Sequence, residues 1–132
     1  MQHYIFLVIC ISAALLVAVG RHQALQPFLS RGCQGSRWHR AFPHASSGDI
    51  RTFLNIFGSS FGFRQRHLLK FAPTDSLMQI HKASNPLQGV DAFEFEFLAA
   101  GLQNRYNVSL QSAWRPGLTL GELFALVHGN AP

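Results

Sequence analysis

The chain has 132 residues, of which 48% are hydrophobic and 13% are charged, and its formal net charge is +5. This length accommodates one small domain. The six acidic residues are scattered and no glycine-rich phosphate loop is present, which excludes a recognisable catalytic centre and predicts that the protein is not an enzyme. Cys10 lies in a long apolar stretch and Cys33 stands alone in a basic segment, so we predict no intrachain disulfide. His39 and His44 have no Cys or carboxylate at ligand spacing, so we predict no metal site.

Residues 4–20 form an uncharged apolar stretch that is followed at once by Arg21. As a helix these residues would span roughly 25 Å, close to the hydrocarbon core of a bilayer at about 30 Å. We therefore predict a single transmembrane helix as a membrane anchor within residues 1–24. A cleaved signal peptide remains the alternative, because Ala18-Val19-Gly20 resembles a cleavage site, although no Lys or Arg precedes the stretch.

Basic residues follow the apolar stretch. Residues 21–70 contain eight Lys or Arg and one acid, whereas residues 71–132 contain three Lys or Arg and five acids. Basic residues that flank a membrane span stay on the cytoplasmic side. The predicted topology is therefore a single-pass protein of the bacterial inner membrane with its C-terminal domain in the cytoplasm.

Residues 25–45 are predicted to be a basic flexible linker with little regular structure, because Pro27, Gly32, Gly35 and Pro43 interrupt it. Basic side chains near a membrane are attracted to anionic lipid. The linker is therefore expected to contact membrane lipid together with the apolar stretch, and a merely solvated linker is the alternative.

The first helix of the packed domain is predicted to begin near Ser46 or Ser47, either of which can act as its N-cap. Apolar residues then recur on one face at helical spacing: Ile50, Phe53, Leu54, Phe57 and Phe61. Gly58 and Gly62 are expected to fray the end of this helix. The basic run at residues 64–70 is interpreted as a solvated loop rather than as a nucleic-acid site.

A short second helix is predicted after Pro73. Asp75 or Ser76 can cap it, and Asn85-Pro86 ends it after about two turns. Its apolar residues are Leu77, Met78 and Ile80.

Residues 91–106 are predicted to form the central helix of the domain. Asp91 can cap this helix, and Glu94 can bond back to the amide of the cap. One apolar stripe follows at helical spacing: Phe95, Leu98, Ala99, Leu102 and Tyr106. The alternation over residues 93–97 is typical of a strand, but it lasts only five residues, so we favour the helix.

The start of this helix, Gly89-Val90-Asp91-Ala92-Phe93, resembles the Gly-x-Asp-Ser-Leu motif of the acyl carrier protein family, and the resemblance covers residues 48–127. It implies an all-α, three-to-four-helix acyl-carrier-like bundle over residues 46–128. In that family the serine of the motif carries 4'-phosphopantetheine. Ala92 stands in its place, and a methyl group has no oxygen to form the phosphodiester, so the resemblance implies that no cofactor is bound.

Asp75-Ser76-Leu77 repeats the tripeptide that carries the cofactor in the family. It keeps an alternative open, in which the protein is a functional acyl carrier modified with 4'-phosphopantetheine at Ser76. We favour the interpretation without cofactor, because Asn85-Pro86 leaves no long helix after Ser76. A similar Ser-Leu pair also lies in the family's loop before the modified site.

The last helix is predicted to begin after Thr119, which forms a capping box with Glu122, and to end at Gly129. Residues 111–117 before it are expected to be a loop, with Trp114 packed between helices.

The sequence thus predicts a membrane-anchored, non-enzymatic, acyl-carrier-like interaction module. An unknown protein partner is expected to bind the outer flank of the helix at residues 91–106, with these residues as contacts: Asp91, Phe93, Glu94, Glu96 and Phe97.

Overall fold

The computed structural model describes residues 1–85 and 93–129, and within these residues the protein is all-helical, as predicted. Eight helical segments are present in this part of the chain, one of them a 3₁₀ helix, η1. In chain order they are α1 Gln2–Leu29, α2 Gly35–Ala41, α3 Ser47–Phe61, η1 Gln65–Lys70, α4 Leu77–Ser84, α5 Phe93–Tyr106, α6 Leu110–Ala113 and α7 Leu120–Gly129.

The N-terminal helix α1 has the length and composition of a membrane span, as the apolar stretch predicts. None of its most apolar 18 residues is buried in the protein. A signal sequence near an N-terminus can satisfy the same criteria of length and composition. The helix also extends five residues past the predicted end at residue 24, through Pro27 to Leu29.

Residues 25–45 were predicted to have little regular structure, and this prediction is wrong. The segment contains the end of α1 and the whole of α2, which begins at Gly35. The physical reason is Trp38, whose side chain is fully buried and whose Nε1 donates a hydrogen bond to the carbonyl of Phe71 at 2.8 Å. Burial of an indole ring stabilises a segment strongly enough to outweigh weak local helix propensity.

Three polar contacts attach the region after the apolar stretch to the domain. Arg31 forms a two-bond pair with Asp75, at 2.6 and 3.1 Å. Lys70 Nζ donates to the carbonyl of Leu29 at 2.7 Å, and the amide of Gln34 donates to the carbonyl of Leu69 at 2.6 Å. The end of α1 therefore packs directly on α4 and η1, with Leu25 buried there.

Helix α3 confirms the predicted start and the predicted apolar face. The hydroxyl of Ser46 accepts a hydrogen bond from the amide of Asp49 at 3.0 Å, and all five predicted apolar residues are buried. Gly62 ends the helix in the left-handed conformation, with φ at 74°. Gly58 does not fray the helix. It lets Leu68 of η1 approach so closely that a Cβ there would lie 2.1 Å from that side chain.

The starts of α4 and α7 lie side by side and are joined through their backbones. Ser76 and Thr119 form an isolated antiparallel bridge, the amide of Leu77 donates to the carbonyl of Leu118, and the amide of Leu120 donates to the carbonyl of Asp75. Both predicted N-caps are confirmed, because the two hydroxyls accept bonds from the amides three residues on. These contacts bring residues 75–77 next to residues 118–120.

Candidate partner-binding surface

Residues 93–106 form a helix, α5, so the strand interpretation of residues 93–97 is wrong. The amphipathic continuation after Phe97 decided the conformation of the short alternating segment, because only a helix places the later apolar residues on one face. The predicted N-cap Asp91 and the motif position Ala92 lie outside the described residues.

The inner face of α5 is the predicted apolar stripe. Leu98 and Leu102 are fully buried, Tyr106 is nearly so, and Phe95 and Ala99 pack against the core from its margin. Helix α3 is the main neighbour of this face. Burial raises the pKa of Tyr106 above its usual value of 10.0.

The outer face of α5 carries two exposed aromatic rings. Phe93 is 53% exposed and Phe97 is 61% exposed, and their ring centroids lie 6.4 Å apart in a stacked arrangement. Glu96 is exposed beside them. Outside α1, within the described chain, the only other large hydrophobic side chain with such exposure is Leu126 on α7. Among the described residues of the helical domain, the two rings therefore form the main exposed apolar patch.

Among the predicted contact residues, Glu94 forms polar side-chain contacts within the described chain. Its carboxylate lies 2.7 Å from Nδ1 of His81 and accepts hydrogen bonds from Nδ2 of Asn85, both at 3.0 Å. The ring of His81 also packs on that of Phe95, with centroids 4.6 Å apart. The structure thus places Glu94 in the junction between α4 and α5.

Two grooves flank the exposed edge of α5. The first lies between α3 and α5, has a volume of about 550 Å³, and is lined by Asn55, Ile56, Ser59, Ser60, Phe97 and Gly101. The second has a volume of about 480 Å³, and its lining includes Met78, His81, Phe95, Glu96, Leu110 and Trp114. Sequence reasoning missed the second groove, because its walls come from three separate helices.

Trp114 lies between helices, as predicted, but it is only partly buried. Its ring meets that of Phe95 edge to face, with centroids 4.9 Å apart, and it forms one wall of the second groove. The segment before it, predicted as a loop, contains the short helix α6, which is capped by the hydroxyl of Ser109.

Ser76 lies at the start of α4, half-buried, where its hydroxyl accepts a hydrogen bond from the amide of Gln79 at 3.4 Å. The preceding Asp75 is buried, and its carboxylate is held by Arg31 and by the amide of Ala72. In this tripeptide the acid and the hydroxyl therefore both have structural partners.

Among residues 1–85 and 93–129, no three His, Cys, Asp or Glu side chains are placed to share a metal ion. Neither Cys10 nor Cys33 is part of a disulfide. Comparison with known proteins gives no match to a family model, to a curated protein or to a solved structure.

Proposed function

We propose that this protein is a membrane-anchored, non-enzymatic interaction module with an acyl-carrier-like helical domain, and that α5 binds a protein partner. The observation that carries the proposal is the stacked pair Phe93 and Phe97, which stays exposed on a helix whose other face is buried. Aromatic rings grouped on a surface are typical of sites that another protein covers.

The surroundings of the pair indicate the chemistry of the partner. Glu96 adds a negative charge next to the rings, and it forms no ion pair within the described residues. One largely apolar groove is lined by Phe97 and a second by Phe95 and Glu96. A helix or loop that inserts apolar side chains into these grooves and presents a Lys or Arg to Glu96 would fit this surface. Asp91 is proposed as a further acidic contact to the same partner.

Site-specific photo-crosslinking tests the partner surface. A photoreactive amino acid at position 97 of the full-length chain should yield an adduct of defined mass in cells. We expect Phe93→Ser or Glu96→Lys to reduce its yield by roughly tenfold or more, as is typical of an aromatic or charged hot spot. The matched control is Arg105→Gln, at an exposed position on the same helix. Equal adduct yields from all variants would contradict the proposal.

The module is proposed to carry no cofactor, because Ala92 stands where the family has its serine. The alternative is a working acyl carrier that bears 4'-phosphopantetheine on Ser76. Incubation with coenzyme A and a broad-specificity phosphopantetheinyl transferase distinguishes the two. We expect an unchanged intact mass. An added phosphopantetheine that is absent from the Ser76→Ala variant would establish the carrier instead.

The apolar part of α1 is proposed to anchor the module in the bacterial inner membrane with the helical domain in the cytoplasm. The uncharged residues 4–20 and the basic residues that follow them support this orientation. A cytoplasm-specific fluorescent reporter fused after Pro132 should fluoresce, and a periplasm-specific enzyme at the same place should be inactive. The reverse pattern, or a mature N-terminus at Arg21, would refute the anchor.

A further inference from the structure

A cavity of about 590 Å³ lies where α1 meets η1 and the turn before it. Its α1 wall includes Arg21 and His22, and its opposite wall includes Arg64, Arg66 and His67. The sequence separates these two groups by more than forty residues, and the docking of α1 on the domain brings them together.

No acidic side chain is among the described residues that line this cavity. The described chain contains three ion pairs of its side chains, and none of them involves Arg21, Arg64 or Arg66. The guanidinium of Arg21 instead lies over the ring of Phe63, 5.9 Å from its centroid. Cations grouped without an acid repel one another, and an anionic ligand would relieve this repulsion.

The pKa of the His67 ring is lowered by burial and by the same positive charges. Burial lowers the pKa of its ring below 6.5, and the charges of Arg66, Lys70 and Arg64 lower it further. Arg21 and His22 face the same cavity from α1. An anion bound among these groups would favour the protonated ring and raise this pKa.

The cavity also has a defined place relative to the apolar stretch. Arg21 directly follows the uncharged residues 4–20, so the cavity opens at the level where those residues would leave the hydrocarbon core. Lipid headgroups occupy this level, and anionic headgroups attract basic side chains near the surface.

We propose that this cavity binds the phosphate headgroup of an acidic phospholipid. The site rests on the proposed anchoring of α1 in a membrane, and it deepens that function by fixing the orientation of the domain against the bilayer. Arg64 and Arg66 supply the charge from the domain side, and Arg21 supplies it from the anchor. Bidentate contact between arginine and phosphate is the expected mode of recognition.

The test uses the full-length chain in nanodiscs of phosphatidylcholine, with or without a minority of phosphatidylglycerol. Native mass spectrometry measures how much phosphatidylglycerol remains bound, and NMR follows the titration of the His67 ring. We expect retention of phosphatidylglycerol and a higher pKa of His67 in its presence. Arg64→Gln with Arg66→Gln should weaken retention by roughly 25-fold, about fivefold for each arginine. The matched control, Arg40→Gln with Arg105→Gln, removes the same charge from exposed positions outside the cavity and should leave retention unchanged.

Three results would refute the proposed lipid site without refuting the proposed membrane anchor. The first is equal loss of retention in both double variants, which would indicate diffuse attraction. The second is an equal rise in the pKa of His67 when inorganic phosphate is added to phosphatidylcholine nanodiscs, which would assign the cavity to free phosphate. The third is displacement of the lipid by a short RNA, which would assign it to nucleic acid. A chain that fails to enter nanodiscs at all would instead refute the proposed anchor.

Discussion

At the scale of single residues, the best-defined interaction is the buried carboxylate of Asp75. It holds Arg31 from the segment after α1 and the amide of Ala72 in its own turn, so that one side chain joins two distant parts of the chain. Removing one partner of such a pair leaves the other without compensation for its lost hydration. The contribution of the Arg31–Asp75 pair to the free energy of unfolding can therefore be measured by substitution.

We predict that Asp75→Ala lowers the free energy of unfolding by about 3 kcal/mol, since it breaks a largely buried ion pair. Urea unfolding of the full chain in nonionic detergent micelles measures this change. Arg115→Ala is the matched control, because it breaks the exposed pair with Glu122 and should cost less than about 1 kcal/mol. A loss at Asp75 no larger than the control would contradict the prediction.

We predict that His67 makes the stability of the protein depend on pH. Its pKa is lower in the folded state than the ordinary value of 6.5, so below that pH the unfolded chain binds the proton more strongly. Stability should therefore fall as the pH decreases from 6.5 through the lowered pKa. Urea midpoints at pH 7.5 and 5.5 measure this loss.

We expect His67→Gln to reduce the loss of stability between these two pH values. Arg66→Gln should give an intermediate loss, because it removes one of the charges that lower this pKa. If both variants lose as much stability between pH 7.5 and 5.5 as the unsubstituted chain, groups other than His67 cause the acid sensitivity.

At the scale of elements, the short helix α2 is held by its tertiary contacts rather than by its own sequence. Trp38 is fully buried among the rings of Phe42, Phe53 and Phe124, with centroids 5.7 to 6.2 Å apart. Seven residues are too few for a stable isolated helix, so these contacts are what keep α2 folded.

Trp38→Ala should lower the free energy of unfolding by about 3–5 kcal/mol, the usual cost of removing a buried large aromatic side chain. Trp38→Phe keeps most of the ring contacts and loses the bond to Phe71, so it should cost about 1–2 kcal/mol and remain folded. Urea unfolding measures both. Arg40→Ala, at an exposed site on the same helix, is the control and should change the free energy of unfolding by less than about 0.5 kcal/mol. A change as small as this for Trp38→Ala would contradict the burial of Trp38.

At the scale of the whole molecule, the helix that carries the apolar stretch is also part of the folded domain. Its first two thirds are unburied, whereas Leu25 is buried and Phe28 and Leu29 pack against the core. A domain joined in this way would take one orientation relative to a membrane, instead of moving on a flexible linker.

Hydrogen exchange of the full chain in micelles tests this attachment. Amides of residues 22–29 should exchange nearly as slowly as those of α3, because the packing of Leu25 must open before they are exposed. Leu25→Asp should make the exchange of residues 22–29 at least tenfold faster while α3 stays protected. Fast exchange of residues 22–29 in the unsubstituted chain would show that they are not docked.

The sequence by itself determined the helical class, the apolar N-terminal helix, the buried faces of α3 and α5 and the bounds of α7. These features depend on residues three or four apart and on caps such as Ser46 and Thr119. They can therefore be predicted from residues that are close together in the sequence. The exposed ring pair on α5 could be predicted for the same reason. Only the tertiary structure decided that Trp38 is buried, that Glu94 is paired with His81, and that Arg21 lies across a cavity from Arg64. Each of these contacts joins residues that are distant in the sequence. The spacing of apolar residues along the chain shows which face of a helix is buried, but it does not show which other helix packs against that face.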